Sequence, residues 1–258
     1  MKRIAIVTGA SSGMGRQFAV TAADKVAFDE LWVIARRADR LQEVAAELEG
    51  KTTVVPVTLD LEDPESIVAL AARLKEETPE IVLLVNAAGF GKFQSVLDVQ
   101  QPTADRMLAL NCRAMMDMCY TCLPYMKEGA KILNIASVAA FQPVPYITEY
   151  AATKAFVLSF SRGLWKEQRK RGITVTALCP YWTKTEFFQV ARKKDNDIIT
   201  YYNAMYEAAD VVARGWRDLL KGRDLSTYGF VARAQIVLIK LLPHRLIMAI
   251  WCHQQKLK

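Results

Sequence analysis

Six short apolar runs recur along the first part of the chain, and polar residues are rare within each of them. Such near-continuous runs are typical of strands that are buried on both faces of a parallel sheet. The pattern therefore predicts strands over residues 4–8, 31–35, 53–58, 81–86, 132–136 and 173–179.

Segments with helical periodicity lie between these runs, over residues 13–24, 39–49, 64–77, 103–127 and 149–171. Regular alternation of strand and helix predicts an α/β fold with a doubly wound parallel sheet and helices on both faces. No internal repeat, low-complexity segment or flexible linker interrupts the chain, so residues 1–258 are predicted to form a single domain.

The last part of the chain departs from this rhythm. Residues 185–222 look helical and aromatic, and we expect them to lie on the substrate side. Residues 230–258 are apolar and basic, with Pro243 expected to break or kink a helix. This segment could pack on its own domain near the substrate cleft, cross to a partner subunit, or lie flat on a membrane. We expect the first of these, because apolar helices of soluble enzymes are usually buried in protein.

Composition narrows the function classes. Hydrophobic residues make up 52% of the 258 and charged residues 24%, which suits a chain with a real core. The net charge of +7 is compatible with an anionic ligand or a membrane surface, but no dense Lys/Arg run suggests nucleic-acid binding. With only His244 and His253, the chain is poorly supplied for a zinc site, and no metal is predicted.

The five cysteines do not form a disulfide framework, which favours a reducing cytoplasm. Cys119 and Cys122 form a CxxC on a predicted apolar helix, where we expect two small core residues rather than a redox pair. No stretch reaches the roughly 18 apolar residues that a membrane-spanning helix needs.

A glycine-rich turn follows the first strand: Thr8-Gly9-Ala10-Ser11-Ser12-Gly13-Met14-Gly15. Glycines allow a tight turn and a close approach of the backbone to a pyrophosphate, and the next helix offers its unpaired amides to the phosphates. A turn of this kind favours a nucleotide site without proving one.

Further motifs follow in order along the chain. They are Asn86-Ala87-Ala88-Gly89 after the fourth strand, Asn111 within a helix, Ser137 after the fifth strand, and Tyr150-Ala151-Ala152-Thr153-Lys154. Together with the TGxxxGxG turn, this ordered set resembles the short-chain dehydrogenase/reductase family over residues 3–187. The resemblance implies a Rossmann-like fold and an oxidoreductase.

The spacing of Tyr150 and Lys154 supports catalysis independently, because residues four apart share one helix face. A nearby ammonium, together with the positive nicotinamide of the oxidised cofactor, stabilises a phenolate and is expected to lower the tyrosine pKa. Tyr150 could then exchange a proton with a carbonyl or alcohol oxygen, which Ser137 could polarise. The resemblance further implies that Lys154 binds the nicotinamide ribose and that Asn111 holds a water linking Lys154 to solvent.

The end of the second strand carries Arg36 and Arg37, where NAD-preferring folds place an acid. Guanidinium groups pair well with a 2′-phosphate, so we predict NADP(H), although the pair could simply begin a solvated helix. Asp60 could contact adenine or serve only as a turn residue. The predicted cofactor contacts are Gly9, Ser11, Ser12, Gly13, Met14, Gly15, Arg36, Arg37, Asp60, Leu61, Asn86, Ala87, Gly89, Tyr150, Lys154, Pro180, Thr183 and Thr185.

One position departs from the family pattern, since Tyr181 follows Pro180 where the family usually has glycine, while Thr185 keeps the expected threonine. The predicted substrate walls are aromatic, with Phe90, Phe93, Phe141, Val144, Tyr146, Tyr181, Trp182 and Phe187. They favour a bulky hydrophobic ketone or secondary alcohol, hydroxysteroid-like or lipid-like. The alternatives are a catalytically silent NADP-binding scaffold and a membrane-peripheral lipid ketone reductase. We also expect a homodimer or homotetramer built on the helices near 103–127 and 149–171.

Overall fold

All six predicted strands form, each within one residue of its predicted ends, in the computed structural model, which describes residues 1–192 and 198–257. The strands are β1 (Arg3–Thr8), β2 (Glu30–Ala35), β3 (Thr53–Thr58), β4 (Glu80–Asn86), β5 (Lys131–Ile135), β6 (Thr174–Leu178), β7 (Thr183–Lys184), β8 (Tyr206–Glu207) and β9 (Leu225–Ser226). The main sheet is parallel throughout, in the order β3-β2-β1-β4-β5-β6-β9, and β7 pairs separately with β8.

The edge strand β9 was not predicted. It has two residues and no apolar run, and it adds to the sheet through backbone bonds such as that from the Cys179 amide to the Ser226 carbonyl, 2.8 Å. So short a strand gives no periodic signal, and only the neighbouring β6 makes it a strand.

The helices are α1 (Gly13–Thr21), α2 (Ala38–Glu47), α3 (Pro64–Glu77), α4 (Gln101–Leu108), α5 (Met115–Cys122), α6 (Thr148–Gln168), α7 (Phe187–Ala191), α8 (Ala208–Leu220), α9 (Phe230–Leu241) and α10 (His244–Gln254). Two predictions need correction. The helix predicted over 103–127 is interrupted by a π-helical turn, Ala109–Ala114, between α4 and α5. The region 185–222 is not helical throughout, since β8 precedes α8; residues 193–197 of that region lie outside the described part.

Helices cover both faces of the sheet, as the unbroken apolar strands require. On β1, Ile4 and Ile6 face a core shared with α3, α5 and α6, whereas Ala5 and Val7 face the core of α1, α2 and α8. Because both faces of the central strands are covered, these strands show no alternation of polar and apolar residues.

The C-terminal segment packs on its own domain, as expected. Ile236 is buried beside Val138, and the Trp251 indole donates to the Pro145 carbonyl at 3.0 Å. Pro243 separates α9 from α10 and so breaks the helix where the sequence predicted. None of the helices described is long and apolar enough to cross a membrane.

The five cysteines are free thiols. Cys119 and Cys122 are buried in the core, and burial raises the pKa of both, that of Cys119 to about 12. Such thiols are poor nucleophiles, so the core interpretation of the CxxC is confirmed. Within the described ranges, no group of three or more His, Cys, Asp or Glu residues could hold a metal ion.

Candidate active site

A cleft of about 610 Å³ opens at the carboxyl edge of the sheet. It lies where the strand order reverses, between β1 and β4, which is where ligands of open α/β sheets bind. The Thr8 hydroxyl oxygen accepts hydrogen bonds from the amides of Ala87 (3.1 Å) and Ala88 (3.3 Å). These bonds join the end of β1 to the loop that follows β4.

The glycine-rich turn forms one wall of this cleft. At Gly9 and Gly15 its backbone packs too closely against other backbone atoms to admit a side chain. A Cβ on Gly15 would lie 2.3 Å from the Gly9 carbonyl oxygen, and one on Gly9 would lie 2.7 Å from the Ala88 nitrogen. The side chain of Ser12, which precedes α1, makes no capping bond, so the first amides of α1 are left for a ligand. These features fit a bound pyrophosphate.

Two arginines line the rim of the cleft, as the sequence predicted. Arg37 donates to the Ser11 hydroxyl at 3.1 Å and to the Glu186 carboxylate at 3.1 Å. Arg36 pairs with Glu62 at 3.2 Å, and both arginine side chains remain about half exposed. Their remaining N–H groups fit a phosphate at the cleft rim.

Asp60 also lines the cleft, while its Oδ1 accepts from the Glu62 amide at 3.0 Å. Asp60 therefore acts as a turn residue, and its Oδ2 lies 3.8 Å from the Arg36 guanidinium; the predicted adenine contact stays a prediction.

Three of the four polar residues predicted for catalysis converge at the floor of the cleft, whereas the fourth, Asn111, lies outside its lining. Ser137 follows β5 and accepts from the Ala139 amide at 3.1 Å, which starts a 3-10 turn over Val138–Phe141. Tyr150 and Lys154 lie one turn apart on α6. The Tyr150 hydroxyl hydrogen-bonds Ser137, and the Lys154 ammonium donates to the Ile135 carbonyl at 2.7 Å.

Burial dominates the titration of this pair. It raises the pKa of Tyr150 to about 12, against the lowering effect of the Ser137 hydrogen bond, and it lowers the pKa of Lys154 to about 8. Without the cofactor, Lys154 alone does not lower the Tyr150 pKa below its ordinary value; the lowering by Lys154 together with an oxidised nicotinamide stays a prediction. The ammonium lies 5.7 Å from the Tyr150 ring centre and is held by a carbonyl, not by the hydroxyl.

Two predicted residues do not line the cleft. Asn86 is buried beneath it and donates to Asn134 at 2.9 Å. Asn111 lies in the π-helical turn, where it accepts from the Phe90 amide (3.0 Å) and donates to the Phe90 carbonyl (2.8 Å) and the Thr153 hydroxyl (3.0 Å). Its side chain therefore anchors the loop after β4 to α6. π-Helical turns of this kind are frequent at functional sites.

The other predicted site residues all line the cleft. They are Gly9, Ser11, Ser12, Gly13, Met14, Gly15, Arg36, Arg37, Asp60, Leu61, Ala87, Gly89, Ser137, Tyr150, Lys154, Pro180, Thr183 and Thr185. Tyr181 also lines it, in the place where the family usually has glycine.

An aromatic chamber occupies the far half of the cleft. Of the predicted walls, six line it, whereas Phe141 and Tyr146 pack in the core behind it; the lining residues are Phe90, Phe93, Val144, Tyr181, Trp182 and Phe187. Trp251 of α10 closes the chamber by stacking on Trp182, with ring centres 6.3 Å apart.

Sequence reasoning missed several other residues of the cleft, among them Glu186, Gln235 and Gln142. Glu186 pairs with Arg37, and Gln235 reaches the cleft from α9. Gln142 is 8% exposed, and its Oε1 has no hydrogen-bond partner among the described residues. A buried amide oxygen without a partner is costly, so Gln142 is suited to a polar group of a bound ligand. No local motif marks these positions, because the fold brings them to the cleft from segments far from the glycine-rich turn in sequence.

Lys154→Met is expected to change how the free energy of unfolding depends on pH. Because burial lowers the pKa of folded Lys154 from 10.5 to about 8, the unfolded chain binds more protons between these values, and the wild type gains stability as pH rises. Methionine does not titrate. The wild type should therefore gain about 2–3 kcal/mol relative to the variant between about pH 7 and about pH 10.

Denaturant unfolding of both proteins at several pH values measures this difference. Lys166→Met on the exposed side of α6 is the control and should show no such trend. A wild-type-minus-Lys154→Met difference independent of pH would contradict the assignment of a buried, weakly basic amine.

Comparison with known proteins agrees with this geometry. The family model of the short chain dehydrogenases matches residues 3–196. Sulfoacetaldehyde reductase 2 of Chromohalobacter salexigens is 34% identical over 72% of this chain and 75% of its own length. Very-long-chain 3-oxoacyl-CoA reductase of Anas platyrhynchos is 35% identical over 73% of this chain, which spans only 62% of that protein.

Two solved structures are also similar. A short-chain dehydrogenase from Sphingobium yanoikuyae in complex with NADPH superposes with a TM-score of 0.78 at 27% identity, covering 94% of this chain and 97% of that one. The bulky-bulky ketone specific alcohol dehydrogenase from Comamonas testosteroni superposes with a TM-score of 0.75 at 26% identity, covering 96% and 94%. The chain belongs to the short-chain dehydrogenase/reductase family, and its fold is the Rossmann-like fold of that family. It is an oxidoreductase of that family.

Proposed function

We propose that the protein interconverts ketones and secondary alcohols on bulky hydrophobic substrates, with NADP(H) as cofactor. The observation that carries the proposal is the placement of Ser137, Tyr150 and Lys154 at the floor of a cleft with two different halves. One half is polar and glycine-lined, and the other is aromatic.

The glycine-rich turn and the first amides of α1 would hold the cofactor pyrophosphate, with Arg36 and Arg37 at the 2′-phosphate. Asp60 and Leu61 would lie beside the adenine, and Ala87, Gly89, Pro180, Thr183 and Thr185 beside the rest of the dinucleotide. When bound, the nicotinamide supplies or accepts the hydride.

Tyr150 supplies the proton in the reductive direction. Its raised pKa keeps the phenol protonated at neutral pH, so the hydroxyl can donate to a carbonyl oxygen and pass its proton as that oxygen becomes an alcohol. Ser137 hydrogen-bonds the Tyr150 hydroxyl in the free protein. With substrate bound, the Ser137 hydroxyl would donate a second hydrogen bond to the substrate's carbonyl oxygen. Lys154 lies one helical turn away, and its positive charge together with that of the oxidised nicotinamide would favour the phenolate left behind.

The aromatic chamber supports a large apolar substrate, because burying apolar surface is the main source of affinity in such sites. Two of the similar proteins named above act on large substrates, a very-long-chain 3-oxoacyl-CoA and bulky-bulky ketones. A third, sulfoacetaldehyde reductase 2, is named for a small charged aldehyde. Since relatives with large substrates and with small substrates both occur, family membership does not indicate the substrate class. The proposal of a bulky hydrophobic substrate is supported by the aromatic chamber.

A panel of carbonyl compounds with NADPH tests the proposal. We expect kcat/KM to be highest for steroid-like or long-chain ketones and lowest for sulfoacetaldehyde. A preference for small charged aldehydes would overturn the substrate class. NADPH binding without turnover of any carbonyl or alcohol would instead support a catalytically silent scaffold.

A homodimer or homotetramer built on α4, α5 and α6 is expected. Large hydrophobic side chains stay exposed on these helices, namely Leu108 (52%), Tyr120 (66%) and Phe156 (40%). Burying them against a second copy would stabilise an assembly. Light scattering at micromolar concentration should show the oligomer, and Phe156→Glu should weaken it. A wild-type monomer at that concentration would refute the expectation.

The free thiols also support a cytoplasmic location.

A further inference from the structure

The outer faces of the last two helices are apolar although they are exposed. On α9 the side chains of Phe230 (79% exposed), Val237 (58%), Leu238 (49%) and Leu241 (76%) point away from the domain, while Ala232, Ile236 and Ile239 are buried against it. On α10, Leu246 (47%) and Ile250 (40%) are exposed one turn apart on a face beside the buried Ile247. These six exposed side chains form what we call the C-terminal apolar face.

The spacing of these residues makes the face continuous along α9. Residues 230, 234, 237, 238 and 241 fall on one stripe at helical spacing, and the buried residues fall on the opposite stripe. A helix that only packed on its own domain would carry polar residues on the outer stripe. The outer stripe of α9 therefore needs a second apolar environment.

The charge around the face has one sign. No Asp or Glu follows Asp224, whereas residues 225–258 contain five Lys or Arg residues and both histidines. Arg233 and Lys240 are exposed on α9 and Arg245 is exposed on α10. Helical spacing places Arg233 and Lys240 at one edge of the apolar stripe, where their ammonium and guanidinium groups could reach anionic headgroups while the stripe enters the acyl boundary.

The same helices also wall the cleft. Gln235 of α9 and Trp251 of α10 line it, on the sides of the two helices that face the domain. A ligand dissolved in the layer against the C-terminal apolar face would thus lie one helix away from the aromatic chamber.

We propose that the C-terminal apolar face docks on the surface of a bilayer that contains anionic lipids, with α9 and α10 lying in the plane of the interface. A second copy of the chain is a poorer occupant. A two-fold contact through this face would surround one interface with two sets of the cations Arg233, Lys240 and Arg245, and the segment has no carboxylate to pair with them. The proposal rests on this surface alone and does not depend on the substrate class.

Vesicle flotation of the full chain tests the docking. Vesicles of phosphatidylglycerol and phosphatidylcholine in equal parts should bind the protein, and vesicles of phosphatidylcholine alone should bind it at least about tenfold more weakly. Added salt should weaken the binding, since exposed charges are screened. Equal binding to both compositions, or binding to neither, would overturn the proposal.

Two variants and a matched control locate the binding surface. Phe230→Ser combined with Leu241→Ser should lower vesicle binding about tenfold or more, because two large apolar groups no longer enter the interface. Val68→Ser combined with Leu97→Ser removes apolar side chains that are 58% and 96% exposed elsewhere and should leave binding unchanged. Equal loss in both double variants would overturn the proposal.

Arg233→Glu combined with Lys240→Glu should also weaken binding to the anionic vesicles. Turnover of a water-soluble ketone should stay unchanged in all three double variants. That readout shows that the variants fold and separates a failure of docking from a failure of the proposed activity. If Phe230→Ser with Leu241→Ser instead splits an oligomer in light scattering while vesicle binding persists, the face is a contact between copies and the proposal is wrong.

Discussion

Replacing Tyr150 with phenylalanine is expected to lower kcat about a hundredfold to ten-thousandfold, the usual contribution of a positioned proton donor. Only the hydroxyl is lost. The ring still packs 5.3 Å from the Phe187 ring, and the cleft keeps its glycine-lined half. The dissociation constant for NADPH should therefore change little.

Steady-state kinetics on a bulky ketone and fluorescence titration with NADPH measure the two quantities separately. Tyr120→Phe, which removes the hydroxyl of an exposed tyrosine on α5, is the control and should retain full activity. If Tyr150→Phe keeps more than about a tenth of wild-type kcat, a value well outside the range for a lost proton donor, Tyr150 is not the proton donor.

The preference for NADPH over NADH is expected to depend on Arg36 and Arg37. A charge-assisted hydrogen bond contributes roughly 1.5–3 kcal/mol, so each good contact with a 2′-phosphate should be worth about tenfold to a hundredfold in kcat/KM for NADPH. Arg36→Ala and Arg37→Ala should each lose that factor with NADPH and little with NADH, which lacks the phosphate.

Arg40→Ala is a matched control for these two variants. Arg40 lies in the first turn of α2, directly after these two arginines, pairs with Glu43 at 3.0 Å and does not line the cleft. Its replacement should leave the ratio of the two kcat/KM values unchanged. Equal use of NADH and NADPH by the wild type would end the NADP assignment, and loss of NADH use in Arg37→Ala would show that Arg37 stabilises the rim and does not select the phosphate.

Glu186 adds a feature to this site that the arginines alone did not suggest. Its carboxylate lies 3.1 Å from the Arg37 guanidinium, where it competes with an incoming phosphate for the same donors. Both side chains are more than two fifths exposed, so the pair is weak and water-screened. A doubly charged phosphate near the α1 N-terminus should displace it.

Much of the fold could be predicted because its signals are local. A strand buried on both faces must be apolar along its whole length, so β1 and β4 could be recognised without knowing what covers them. The glycine-rich turn can be recognised from sequence for a similar reason. Gly9 and Gly15 stand where two backbone segments approach too closely for a side chain to fit between them. Tyr150 and Lys154 share a helix face by spacing alone.

Other features depend on contacts between distant parts of the chain, and the sequence does not show them. The side chain of Asn86 turns toward Asn134 and away from the cleft, and Asn111 bonds the Phe90 backbone across a π-helical turn. The pKa of Tyr150 is another case, because the position of Lys154 was inferred correctly but the extent of burial around the hydroxyl was not.

The sequence by itself determined the α/β class, the strand positions, the glycine-rich turn and the shared helix face of Tyr150 and Lys154, because each depends on residue type and short-range spacing. Only the tertiary structure decided that Trp251 closes the aromatic chamber, that the Gln142 Oε1 has no hydrogen-bond partner among residues 1–192 and 198–257, and that the outer stripe of α9 is exposed. Those facts depend on which surfaces meet when the chain packs, and an apolar helix has the same sequence pattern whether its second face meets protein or lipid.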